Sequence, residues 1–410
     1  MALILVYAEA SRSQLYPLVP VLQKLSEAGH KVVVKAGRYC VGVLREAGLE
    51  ASPLSDYVEF FRLDDWQGEN YEQSLRMLLR YLVQRSRYDF NDFAAALRYD
   101  SPDLVIVNAT CLGACAGAIA SGVPTVTWST ELLPFPSSGI PPFGPGLPYT
   151  QSKFMALANW ARSSSVQKCF EADVDDFNCF LLKLGIHPLR DMQGWFTTIP
   201  NLLYFTSEPF EYPRQWPSNV SLVGPCNWEP PAPQNDMGTQ LDSHYPPILV
   251  SLGCSYQNNG DLLRSVIEAM RSDKYEIVAT TCGISTQEFK EEQGVTLTRF
   301  ASHNQLLKHA VCAVSCGGLC FVQKALCHGV PVCVVPQVRS QYEVAQRVVN
   351  ANVGTMVDMR KLSVSAIGSA IRKAIGKKKQ ATELAEKFDS EGTADRCFHL
   401  IEHILAEHEK

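Results

Sequence analysis

Two doubly wound α/β domains facing each other across a cleft are the fold class this sequence predicts, and three observations predict it. At 410 residues the chain exceeds the length over which one hydrophobic core keeps growing. Strand and helix signals alternate through the first half, and the same alternation restarts in the second. Between the halves, Pro225–Pro247 holds six prolines and no periodicity, which marks a linker.

The elements follow in order. Leu3–Tyr7 is a continuous apolar run and reads as a buried strand. After a polar loop, Leu18, Val21, Leu22 and Leu25 recur at helical spacing within Leu15–Ala28. Gly29 closes that helix and His30–Lys35 resumes as a strand. Leu104–Val107 and Thr125–Trp128 are strands flanking a small-residue helix, Gly113–Ala120. Ser137–Pro148 is rich in Pro and Gly and reads as a surface loop, while Trp160–Leu184 reads as helical. Past the linker come a strand Ile248–Leu252, a helix Asp261–Met270 and a strand Ile277–Thr281. Ala310–Ser315 runs into a glycine pair, and Val332–Val335 is another buried strand. Parallel sheets covered on both faces, with ligands at the C-terminal strand ends, are the architecture such units build.

Composition narrows the function. Hydrophobic content of 46% with 19% charged residues suits packed cores. A net charge of -5 without a basic stripe excludes nucleic-acid binding. The run Lys377–Lys379 reads as a solvated helix face. The N-terminal apolar run is too short for a signal or a membrane span and lacks a basic region before it, so the expectation is a cytoplasmic protein without a membrane span. Asn108 and Asn219, each in an N-x-S/T match, are then expected to stay unmodified. The 14 cysteines are expected to be reduced. Cys312, Cys316, Cys320 and Cys327 cluster, but no C-x-x-C pair occurs, and no metal or cofactor is expected.

Gly329-Val330-Pro331, then Val334-Val335-Pro336-Gln337 and Gln341, preceded by Gly317-Gly318 and Ala325-Leu326, resembles the donor-binding signature of the family-1 glycosyltransferases. That family includes the antibiotic, sterol and UDP-glycosyltransferases. Tyr16–Val34, Ser101–Thr127, Leu222–Pro225, Ser251-Leu252-Gly253 and Phe300–Leu307 are similar to further family segments. The resemblance implies a GT-B fold: an acceptor-side domain over 1–224, a linker over 225–247, and a donor-side domain over 248–390. A C-terminal helix over 391–410 would cross back onto the first domain.

The same resemblance exposes departures. Where the family carries a histidine base ahead of an aromatic-proline pair, this chain has Ser13-Gln14 before Tyr16-Pro17. An amide cannot act as a base near neutral pH. The strand end expected to supply the partner acid reads Asn108-Ala109-Thr110. On the donor side, Cys316 stands for a histidine, Cys320 for a glycine, Phe321 for a phosphate-binding hydroxyl and Lys324 for the ribose-binding acid. Ser340-Gln341 keeps only the glutamine of a sugar-gripping pair. Cys254, Phe300, Cys316, Gly317, Gly318, Cys320, Lys324 and Ser340 make up a former donor site.

Gln14, Glu9, Glu131 and Asn108 are the candidate catalytic residues. Tyr16, Trp128, Phe135, Phe143, Phe321 and Gln341 are candidate contacts for a small apolar molecule. The blander readings are that Gln14 is a polar residue near a helix start, that the aromatics pack the core, that Lys324 is solvated and that His303 faces solvent. Three functions stay open. One is a repurposed enzyme that cyclises, rearranges or isomerises a hydrophobic natural product. The second is an atypical inverting glycosyltransferase with an apolar acceptor. The third is a non-catalytic binding protein or partner of another enzyme. A homodimer is compatible with each.

Overall fold

The computed structural model describes residues 1–9, 11–137, 139–149, 164–231, 245–253, 260–281, 289, 293–338 and 340–408. It has two parallel sheets. The first contains β1 (Leu3–Tyr7), β2 (Lys31–Ala36), β3 (Glu50–Pro53), β4 (Leu104–Asn108), β5 (Thr125–Ser129), β6 (Leu202–Tyr204) and β7 (Val220–Leu222), in the order β3-β2-β1-β4-β5-β6-β7. The second contains β8 (Pro247–Ser251), β9 (Glu276–Thr280), β10 (Val295–Thr298), β11 (Cys312–Ser315), β12 (Val332–Val334) and β13 (Gly354–Met356), in the order β10-β9-β8-β11-β12-β13. Chain order reverses between β1 and β4 in one sheet and between β8 and β11 in the other. Each reversal opens a crevice at the C-terminal strand ends, where ligands of such sheets bind.

Several elements differ from expectation, each for a local reason. The first helix is divided into Arg12–Leu15, a 3₁₀ turn Tyr16–Leu18, and Val19–Glu27. Pro17 and Pro20 cannot donate to the helical ladder, and they fall in the first turns of the two later pieces. The expected helix Trp160–Leu184 is described only from residue 164. It breaks at Ala172-Asp173 before resuming as Val174–Lys183. Pro247, assigned to the linker, already belongs to β8. Residues 232–244 of that linker, and Cys254, lie outside the described residues.

The largest element without a strong sequence signal is the helix Tyr71–Asp100, capped by the Asn70 side chain on the Gln73 amide and ended by Ser101 in the left-handed region. It packs against the helix Leu112–Ser121 so closely that a Cβ on Gly113 would stand 1.6 Å from the Ser86 carbonyl oxygen. Small residues in the shorter helix permit that approach.

The expected loop Ser137–Pro148 has no helix or strand among its described residues, but it does not run over the surface throughout. Pro141, Gly144 and Leu147 are buried, and the segment lies against the second domain. Gly144 and Gly146 donate their amides to Glu343 Oε1 at 2.7 and 3.1 Å. Gly144 sits at φ +123°, and a Cβ there would meet the Tyr71 hydroxyl at 1.6 Å. From the same helix as Glu343, the fully buried Arg347 pairs with Glu211 of the first domain at 3.0 Å. One apolar cluster runs through both domains, joining Tyr204 and Phe210 to Val344 and Phe388.

The C-terminal helix Thr393–His408 returns to the first domain. Cys397, Ile401 and Leu405 pack with Leu18, Val21 and Leu22, and Asp395 pairs with Lys24 at 2.7 Å. No helix among the described residues is long and apolar enough to cross a membrane.

Candidate functional site

The first domain presents its polar residues just past the strand ends. Gln14 is 1% exposed, with its side-chain carbonyl facing two donors. Asn108 Nδ2, at the end of β4, donates to Gln14 Oε1 at 3.3 Å, and Thr130 Oγ1, just past β5, donates to it at 2.9 Å. The Trp128 indole donates to the Gln14 backbone carbonyl at 2.9 Å. The group standing where the resemblance places a base is therefore an amide held by an amide and a hydroxyl. It can orient a ligand but cannot take its proton near neutral pH. Thr130 escaped the sequence reading; its position after β5 was the available signal.

Glu9 stands after β1, half-buried, with Oε1 3.5 Å from Arg85 Nη1. Arg85, from the long helix, is 2% exposed and pairs with Asp89 through Nε at 3.2 and 3.0 Å. It also donates to the Tyr81 hydroxyl at 2.8 Å and to Cys111 Sγ at 3.2 Å. Burial raises the Asp89 carboxyl to about 6, with Arg85 pulling the other way. Burial likewise pushes the Tyr81 phenol up to about 12. Glu131 is half-buried, and its backbone closes a turn with the Ser129 hydroxyl at 3.1 and 3.2 Å. Among the aromatics, Trp128 and Phe135 are buried, the latter edge-on to Phe196 and Trp216. Tyr16 meets the linker residue Trp228 edge-on at 5.4 Å. Phe143 is half-buried and accepts from the Tyr71 hydroxyl through its carbonyl.

On the donor side, the helix Leu319–Cys327 begins in the crevice between β8 and β11. Cys316 is buried, and burial pushes its thiol up to about 12. Gly317, at φ +100°, is packed by Val334 and Gln341, whereas a Cβ on the exposed Gly318 would meet nothing within 4 Å. The helix start therefore stays open at Gly318, with no side-chain cap. Two residues further in, it is closed. Cys320 Sγ crosses to the first domain, 3.3 Å from the Ser13 carbonyl and 3.7 Å from that of Thr130. The Phe321 ring packs edge-on against His303 at 4.9 Å.

His303 is half-buried rather than fully turned to solvent: its Nε2 lies 3.0 Å from Thr280 Oγ1. Burial, followed by the nearby Lys324 charge, lowers its imidazole to about 4, so the ring is neutral at physiological pH. Lys324 is not solvated either. It is 8% exposed and donates to Glu229 Oε1 at 2.6 Å. Glu229 Oε2 accepts from Ser302 Oγ at 3.0 Å and from the Asn304 amide at 3.3 Å. Burial raises the Glu229 carboxyl, but Lys324 outweighs it and holds the group below its ordinary value. Gln341 Oε1 accepts from the amides of Gln337 and Val338 at 3.0 and 3.2 Å, so that oxygen braces its own loop. Phe300 is half-buried and accepts from Thr298 Oγ1 through its carbonyl; Ser340 opens the helix Ser340–Asn350. No cluster of three metal-ligating side chains occurs among the described residues.

Known proteins share this fold. Residues 263–397 match the glycosyltransferase family 28 C-terminal domain. The chain is 26% identical to 4'-demethylrebeccamycin synthase of Lentzea aerocolonigenes, over 98% of this chain and 100% of that protein. The glycotransferase of kitacinnamycin superposes with a TM-score of 0.73 at 18% identity, covering 98% of both chains. CalG4, the calicheamicin glycosyltransferase, superposes at 0.70 with 19% identity, over 100% of both chains. This chain is a glycosyltransferase-like protein with the GT-B fold.

Proposed function

We propose that this glycosyltransferase-like protein has left base-assisted transfer from nucleotide sugars and acts on a small hydrophobic molecule in the cleft between its domains. The observation that carries the reading is the Gln14 amide, held by Asn108 and Thr130 where a base and its acid partner would stand. Cys320 supports it by occupying the meeting point of the two domains. Such a site suits cyclisation, rearrangement or isomerisation, in which fixed hydrogen bonds and enforced geometry lower the barrier without a proton acceptor.

The test supplies uridine and thymidine diphosphate sugars with a panel of apolar aromatic acceptors and measures nucleoside diphosphate release. Neither the native chain nor Gln14→His is expected to release it above the acceptor-free rate. Acceptor-dependent release by the native chain would refute the proposal. Release by Gln14→His alone would mean that the donor side works unaided.

One observation favours a second reading, an atypical inverting glycosyltransferase. Gly318 is exposed and the helix behind it is uncapped, leaving amides free to meet an anion. Under that reading the acceptor must ionise without help from a base.

A further inference from the structure

The helix Ser340–Asn350 of the second domain carries a buried cation into the first. Arg347, 2% exposed, sets Nε and Nη2 on Glu211 Oε2 at 3.1 and 3.0 Å. Its Nη1 donates to Glu343 Oε2 at 3.2 Å, and its guanidinium lies 4.3 Å over the Tyr212 ring. Held in this way, the planar fork presents one fixed geometry to Glu211.

Glu211 passes that geometry on. Its other oxygen, Oε1, accepts from the Tyr204 hydroxyl at 3.2 Å and from Thr206 Oγ1 at 3.3 Å. The Tyr204 oxygen accepts in turn from the Leu133 amide at 3.2 Å. Burial, followed by the Glu211 charge, pushes the Tyr204 phenol well up, so the hydroxyl keeps its proton and donates to the carboxylate. Every donor of the chain therefore points towards Glu211, and each bond strengthens the next. Tyr204 is fully buried, so cutting a link there leaves a polar group unpaired.

The far end of this chain reaches the Gln14 site. Leu133 closely follows Thr130, whose hydroxyl meets Gln14 Oε1 at 2.9 Å. Between them the Glu131 backbone closes its turn with the Ser129 hydroxyl, and Leu132 is buried. With two soft dihedrals per residue, so short a segment has little freedom once Leu133 is fixed.

We propose that Arg347 and Glu211 are positioning residues of the Gln14 site: acting through Tyr204 and Leu133, they hold the loop after β5 so that the Thr130 hydroxyl meets the Gln14 carbonyl. The first-domain site is then complete only with the second domain docked. The inference rests on the reading that the Gln14 amide is the working group, and it names what sets that amide's partner.

The experiment records the side-chain amide resonances of the full chain, isotope-labelled at its glutamine side-chain nitrogens, with no nucleotide sugar or acceptor present. The Gln14 cross-peaks are identified by their loss in Gln14→Glu, and Thr130→Val marks where they move when the hydroxyl is removed. Tyr204→Phe keeps the ring and both ion pairs of Arg347 but cuts the link to Leu133. It is expected to shift the Gln14 cross-peaks towards their Thr130→Val position. Arg347→Lys keeps a cation but lacks the fork that spans Glu211 and Glu343, and should shift them in the same direction, less far. Asp395→Asn removes an exposed ion pair between the C-terminal helix and Lys24, and should leave them in place. Unmoved cross-peaks in Tyr204→Phe or in Arg347→Lys would overturn the proposal. So would an equal shift in Asp395→Asn, since the site would then answer to any lost contact with the first domain. The readout is independent of nucleoside diphosphate release, so failure of this inference and failure of the proposed function are told apart.

Discussion

The two chain-reversal crevices share a topology and differ in chemistry. Between β1 and β4 the strand ends gather ions: Arg85, Asp89 and Glu9, with Tyr81 completing the network. Between β8 and β11 they gather thiols and an aromatic ring: Cys316, Cys320 and Phe321. A largely buried ion pair nearby, Lys324 with Glu229, joins the helix to the linker. Parallel sheets of the same winding thus leave the chemistry of their crevices to a few side chains, which is why fold alone does not fix function.

The largest effect should come from breaking the ionic crevice. Arg85→Leu leaves Asp89 buried without its partner and is expected to cost about 3–5 kcal/mol of stability in urea unfolding. A loss below about 1 kcal/mol would place Arg85 among ordinary surface arginines and erase the contrast.

Lys324→Ala tests the other crevice. Removing one partner of a nearly buried pair should cost about 3 kcal/mol, and Glu229→Gln in the same chain should recover part of it. A neutral result would return Lys324 to the solvated helix face that the sequence allows. The stability cost also means that activity losses in this variant must be read beside a folding measurement.

pH separates the crevices by sign. The folded chain holds His303 at about 4 against 6.5 for an ordinary imidazole, so the unfolded chain protonates first as pH falls. This contribution is complete above about pH 6.5 and is lost as pH falls towards 4. Asp89, raised to about 6 against 3.8, behaves oppositely: its contribution is complete below pH 3.8 and is lost as pH rises through about 6. Between these limits His303→Phe should flatten the acid loss, and Asp89→Asn should steepen it. Unfolding midpoints taken across that range check both slopes, and equal slopes in the two variants would contradict the assignment.

The smallest stability effect is expected from Cys320→Gly, which removes weak thiol contacts to Ser13 and Thr130. A cost of about 1 kcal/mol or less in thermal unfolding is anticipated. A large cost would make Cys320 a structural joint between the domains.

The sheets were legible because buried parallel strands are short apolar runs, as in Leu3–Tyr7, Leu104–Val107 and Ile248–Leu252. The helix Tyr71–Asp100 was not, because its buried face carries Arg85, Asp89 and Asp92 among its leucines. Charges at that spacing read as solvated until tertiary partners neutralise them. Short or polar edge strands such as Glu50–Pro53 and Val295–Thr298 gave no apolar run to find. In the site, the residue types at Gln14, Asn108, Cys320 and Phe321 are plain from the sequence, but not their partners in space. The pairing of Lys324 with Glu229, 95 positions away in sequence, could not be read there, since local pattern carries no information about such contacts.

The measurement that bears most directly on the account is calorimetric titration of thymidine diphosphate into the native chain and into a Cys320→Gly, Phe321→Thr variant. The account predicts no saturable binding at micromolar ligand by the native chain, and binding gained when the bare residue and the hydroxyl are restored. Micromolar binding by the native chain, unchanged in the variant, would contradict it: the donor crevice would then be open as it stands.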